Sequence, residues 1–161
     1  MRSSVLWVVL HVAECPRERL KALAVRNYFK TAGVSAHYIV DPGEVVAYIP
    51  EGEIAWHAAG ANANSIGVEL CGYSHDPWDD AASKAELALA TTLVRDICNR
   101  WSIPIVWLGP KDLVARKKGI TGHKEVTDAF RGGYGHWDPG PLFDRLSFIK
   151  QVEQRTPEPL V

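Results

Sequence analysis

Six histidines are spread along the chain, at positions 11, 37, 57, 75, 123 and 136, and position separates them. His11 directly follows the apolar run Val5-Leu6-Trp7-Val8-Val9-Leu10, and site residues in open α/β sheets gather where strands end. His123 follows Gly122 after the strand-like Gly119-Ile120-Thr121. Asp138 lies in His136-Trp137-Asp138-Pro139-Gly140-Pro141, where proline and glycine restrict the backbone and so the direction of the carboxylate. Two imidazoles and one carboxylate satisfy the ligand chemistry of a catalytic zinc, with the fourth position left to water. Spacing alone does not separate that reading from histidines that serve the surface or the core.

Glu69 is a second candidate, an acid flanked by apolar residues in Ser65-Ile66-Gly67-Val68-Glu69-Leu70. An unpaired buried carboxylate is costly, so this one needs an arginine partner or a chemical task such as general base. Cys71 with His123 would make a thiol nucleophile and base, but no active-site motif surrounds Cys71 and strand burial suppresses the thiolate. His37 reads as a hydrogen-bonded brace of the sheet and His75 as a surface residue.

The elements that must position these groups follow from periodicity. Residues 5–10 form a strand apolar on both faces and therefore central. Residues 17–31 have helical spacing, with Gly33 as C-terminal cap. Strands 37–40 and 44–49 flank Asp41-Pro42-Gly43, the chemistry of a tight turn, and predict a hairpin. Strand 66–71 puts Ile66, Val68 and Leu70 on one face and Gly67, Glu69 and Cys71 on the other. The clearest helix spans 81–101, capped by Asp79 or Asp80. A short strand at 105–108, a short helix at 111–117, a glycine-rich loop at 131–140 and a final helix at 142–154 complete the pattern. Strands and helices interleave around a hairpin, which predicts a single α/β domain with a mixed central β-sheet flanked by helices on both faces. The domain is expected over 1–154, with 155–161 a flexible tail or the start of a linker.

Composition narrows the partners. A formal net charge of −1 argues against nucleic acid, and the basic cluster Arg116-Lys117-Lys118 reads as a solvated helix end. No apolar stretch approaches the ~20 residues a bilayer requires, so no membrane association is expected. The apolar run near Met1 is short, lacks a small-residue cleavage site and leads straight into His11, which favours a buried strand over a signal peptide. Three cysteines at irregular spacings make no disulfide framework and point to folding in a reducing compartment.

Three blocks carry a resemblance. They are Ser35-Ala36-His37-Tyr38-Ile39-Val40-Asp41 with Gly43-Glu44-Val45; Ala55-Trp56-His57-Ala58-Ala59-Gly60 with Asn64 to Leu70; and Gly122-His123-Lys124-Glu125-Val126 with the His136 to Pro141 segment. Together with His11, and in this order, they resemble the zinc-dependent N-acetylmuramoyl-L-alanine amidases. That family includes bacterial anhydro-muropeptide amidases, phage lysins and animal peptidoglycan recognition proteins. The resemblance implies Zn2+ held by His11, His123 and Asp138, Glu69 and His136 as catalytic residues, and Trp56, His57 and Asn64 lining the substrate groove. Ala36 stands where some relatives have a catalytic tyrosine, and those relatives often lack the carboxylate that Glu69 supplies, so this chain matches the glutamate branch. His136 stands where many relatives have lysine. Cys15 is placed outside the metal's shell by the family pattern.

The implied reaction is hydrolysis of the amide between the lactyl group of N-acetylmuramic acid and L-alanine of peptidoglycan, by a monomer synthesised in the cytoplasm and acting on the cell wall. The alternatives are a non-catalytic peptidoglycan-binding module and a zinc endopeptidase cutting within the stem peptide. The expected lack of a signal peptide and the short length fit either a phage lysin or a recycling enzyme, and the proline-containing tail favours an endolysin catalytic domain, released by a separate route.

Overall fold

The structure, a computed structural model, describes residues 4–156. Most of the expected tail and the first three residues lie outside the described residues. The elements in order are β1 (Trp7–Val12), α1 (Lys21–Ala32), β2 (Tyr38–Val40), β3 (Val45–Ala47), β4 (Ser65–Leu70), α2 (Ala81–Trp101), α3 (Pro110–Val114), β5 (Gly119–Gly122), α4 (His123–Phe130) and α5 (Arg145–Gln154). The five strands form one sheet in the order β3-β2-β4-β1-β5. All neighbours are parallel except the hairpin pair β2 and β3, so the sheet is mixed as expected.

β1 lies between β4 and β5, and all six of its residues are buried, which is why its sequence is apolar without alternation. Val8 and Leu10 join Ile66, Val68 and Leu70 of β4 under Ala90, Val94 and Ile97 of α2 and Phe148 and Val152 of α5. On the opposite face Trp7 and Val9 pack with Leu113 of α3 and Val126 of α4, while Ile39 and Val46 meet Ala22, Val25 and Phe29 of α1. Helices therefore cover both faces. No helix among the described residues is long and apolar enough to cross a membrane.

Local chemistry sets the boundaries. Asp80 caps α2 by accepting from Ser83 N at 2.7 Å. In the hairpin turn Asp41 Oδ1 accepts from Gly43 N and Glu44 N, and Oδ2 accepts from Ala22 N near the start of α1. Leu20 has φ 67°, so α1 begins at Lys21 rather than at 17. Arg17 is drawn instead into a buried pair, its Nε 3.0 Å from Glu86 Oε2. The strand expected at 105–108 is reduced to one bridge, Trp107 with Ile120, closed by Leu108 N to Ile120 O and Ile120 N to Val106 O. The short helix expected at 111–117 forms at Pro110–Val114, and the final helix begins at Arg145, where Asp144 accepts from Ser147 N. α4 was not expected from the sequence.

Candidate metal centre

His11 is the penultimate residue of β1 and pairs in register with Glu69 of β4. Parallel partners in register share a face, so imidazole and carboxyl both stand on the side away from α2. On the other flank Leu10 pairs with Gly122, and His123 follows as the first residue of α4. Asp138 arrives by the loop after α4. Val12 N donates to its Oδ2 at 3.2 Å, and Lys124 N donates to its carbonyl at 3.0 Å. Gly140, at φ 97°, lets that loop close on the backbone of Ser74, where a Cβ would lie 1.7 Å from the carbonyl oxygen.

The result is three buried groups whose potential ligand atoms all lie within 4.8 Å of one another. His11 Nδ1 is 3.0 Å from His123 Nδ1 and 3.4 Å from Asp138 Oδ2, and His123 Nδ1 is 3.3 Å from Asp138 Oδ1. Ligands about 2.05 Å from a tetrahedral zinc stand about 3.3 Å apart, so these separations fit such an ion. The electrostatics agree. Burial, helped by the neighbouring His123, lowers His11 to about 4, which leaves its imidazole neutral at physiological pH. Burial pushes Asp138 upward, but the adjacent imidazoles of His11 and His123 outweigh it and hold the carboxyl well below the usual range.

Glu69 is 8% exposed and faces the same space. Burial, with the like charges of Asp138 and Cys15, pushes its carboxyl well above the usual carboxylate value. Of the two readings open from sequence, no arginine pairs with it among the described residues. His136 stacks on His123, with ring centroids 3.8 Å apart, and its Nδ1 is 3.9 Å from Asp138 Oδ1. Burial and His123 lower its pKa, favouring the neutral ring.

A cleft of about 330 Å³ opens over these residues, walled by Trp56, His57 and Trp137. A second of similar volume adjoins it across His57 and His136 and reaches Asn62, Thr127 and Arg131. Of the residues expected to act together, His11, His123, Asp138, Glu69, His136, Trp56 and His57 all line the first cleft. Asn64 does not; it stands just before β4 beside Ser4 and Arg116, where the chain enters the sheet, and lines neither cleft. Asn62, two residues earlier, is the amide at the groove. His37 is the brace expected of it, accepting from Gly67 N at Nδ1 with Nε2 3.2 Å from Glu53 O.

Sequence reasoning missed the contact between His57 Nδ1 and His11 Nε2, at 2.9 Å. The signal lay in Ser65-x-Gly67-x-Glu69: a hydroxyl, a gap and a carboxyl on one strand face, with the gap sized for a ring. A Cβ at Gly67 would stand 2.5 Å from His57.

The chain matches the family model described as N-acetylmuramoyl-L-alanine amidase over residues 1–141. It is 32% identical over 120 residues to the N-acetylmuramoyl-L-alanine amidase CwlL of Bacillus licheniformis, covering 63% of this chain and 32% of the relative. It is 30% identical over 130 residues to N-acetylmuramoyl-L-alanine amidase A of Achromobacter lyticus, covering 76% of this chain and 70% of the relative. The chain thus spans about a third of the first relative's length. The fold is similar to that of the Staphylococcus aureus hydrolase AmiA in complex with its ligand, with a TM-score of 0.71 at 16% identity over 94% of this chain and 74% of that one. It is also similar to the E. coli amidase AmiD in complex with a muropeptide substrate, with a TM-score of 0.65 at 21% identity over 91% of this chain and 57% of that one.

Proposed function

Because the chain belongs to the N-acetylmuramoyl-L-alanine amidase family, we propose that it hydrolyses the amide between the lactyl group of N-acetylmuramic acid and L-alanine in peptidoglycan, with zinc held by His11, His123 and Asp138. The observation that carries this reading is the convergence of three buried ligand atoms within 4.8 Å beside a buried carboxyl and an open cleft. Zinc, when bound, supplies Lewis acidity that polarises the scissile carbonyl and makes water acidic near neutral pH.

The chain's own residues do the rest. Glu69 accepts a proton from the attacking water and delivers it to the leaving amine nitrogen; a carboxyl raised by burial is better matched to both transfers than a solvated one. His136, as a neutral N–H donor at the cleft, stabilises the negative charge that develops on the carbonyl oxygen. Trp56, 66% exposed on the cleft wall, offers an apolar face for sugar or peptide. Asp138, held ionised, contributes negative charge to the cation site.

Digestion of purified cell walls, with and without chelator, tests the proposal. Soluble fragments bearing a freed N-terminal L-alanine should appear by mass spectrometry and vanish when metal is removed. Cuts within the stem peptide would identify an endopeptidase, and binding without release of fragments would identify a non-catalytic module; either would refute the amidase assignment.

A further inference from the structure

We infer that His57 and Ser65 are positioning residues that fix which ring nitrogen of His11 is left bare for a cation. This rests on the reading of His11 as a ligand and adds how that ligand is prepared. The direction of the relay follows from counting hydrogens. Ser65 has one hydroxyl hydrogen, and its Oγ lies 2.8 Å from the carbonyl oxygen of Ala61, which can only accept. That hydrogen is therefore committed, and Oγ is an acceptor toward His57 Nε2 at 3.2 Å. His57 then carries its proton on Nε2 and turns a lone pair on Nδ1 toward His11 Nε2, at 2.9 Å. His11 in turn carries its proton on Nε2. Its Nδ1 is left bare, and this is the atom 3.0 Å from His123 Nδ1 and 3.4 Å from Asp138 Oδ2.

The opposite tautomer would set two lone pairs against each other between His57 and His11, and would put a proton on the nitrogen that faces His123 and Asp138. The surroundings hold the relay in place. Asn62 Oδ1 accepts from the backbone N–H groups of His57 and Ala58, at 3.1 and 2.7 Å. Gly67 leaves the floor open beneath the His57 ring. The rings of His57 and His11 meet edge to face at 89°, with centroids 5.1 Å apart. Ser65, Gly67 and Glu69 thus divide one face of β4 into anchor, clearance and acid.

Three variants test the relay by zinc affinity, measured by competition between zinc and a chromophoric chelator on the purified, initially metal-free protein. His57→Phe keeps a ring over Gly67 but offers no acceptor, and should weaken zinc binding by about 10–100-fold. His57→Asn places an acceptor near the lost Nδ1 and should stay within a few-fold of wild type. Ser65→Ala, the smallest change, should weaken binding several-fold, and it keeps the test open should His57→Phe fail to fold. Nitrogen NMR of the metal-free protein reads the tautomer directly: His11 should be protonated on Nε2 in wild type and shift toward a mixture in Ser65→Ala. Unchanged affinity in both His57→Phe and Ser65→Ala, or wild-type His11 protonated on Nδ1, overturns the relay. A wild-type protein that binds no zinc but carries the Nε2 proton would instead overturn the zinc centre and leave the relay standing.

Discussion

The ring of His136 lies on that of His123 with planes 15° from parallel, so a side chain 65% open to solvent is held in place by one only 9% exposed. Stacking fixes the plane of His136 while leaving its nitrogens at the cleft, the arrangement a charge-stabilising donor requires.

Replacing His136 with alanine should therefore lower turnover on muropeptides by about 10²–10³-fold. Zinc content, measured by elemental analysis, should remain near wild type, since His136 is not among the three converging candidate ligands. His136→Lys loses the stack but keeps a donor, and should retain more activity than the alanine variant.

Glu69→Gln preserves shape while removing the proton acceptor, and should reduce turnover by about 10²–10⁴-fold with zinc still bound. Near-normal turnover in this variant would remove Glu69 from the mechanism.

Gly140→Ala would force a methyl group into the Ser74 carbonyl at a backbone angle of 97°. Strain and overpacking together should cost roughly 2–4 kcal/mol, seen as a lower melting temperature. Zinc retention should fall with it, because Asp138 sits two residues upstream.

Arg17 and Glu86 form a pair whose side chains are 6% and 0% exposed. Arg17→Met alone strands a buried carboxyl and should cost about 3–5 kcal/mol in denaturant unfolding. Arg17→Met with Glu86→Leu removes both charges and should recover much of that loss.

Glu51 ties the segment after β3 to the end of α2, accepting from Tyr38, Arg100 and Trp101. Burial opposes its charge, but these hydrogen bonds prevail and lower its pKa below 4.5. A depressed folded pKa contributes stability above the unfolded value that is lost as pH falls through the folded one. Glu51→Gln should thus be less stable by about 1–3 kcal/mol at pH 7, with the gap to wild type closing in melts taken progressively below pH 4.5.

What the sequence made legible is what local pattern controls. α2 matches at both ends because its apolar stripe is unbroken and Asp80 stops it, and β4 is plain because Ile66, Val68 and Leu70 alternate. α1 is shorter than its helical spacing predicts because Leu20 is left-handed and Arg17 is held by Glu86, far along the chain. α4 is hidden in the sequence because eight residues opening on a candidate ligand histidine read as motif before they read as helix. In the site, the motif residues His11, His123, Asp138 and Glu69 lie around one cleft. Asn64 stands just before β4, at the end of the strand away from the cleft. The link from His57 to His11 spans 46 positions and depends on the sheet's register, which no local pattern reports.

The margins of the sheet carry a consequence of their own. One is β3, three residues long, and the other is β5, four residues long and partly overlaid by the Trp107 bridge. Neither presents an extended ladder of unsatisfied amides on which a foreign chain could template itself. A molecule built this way can reach high local concentration without its copies zipping into fibrils.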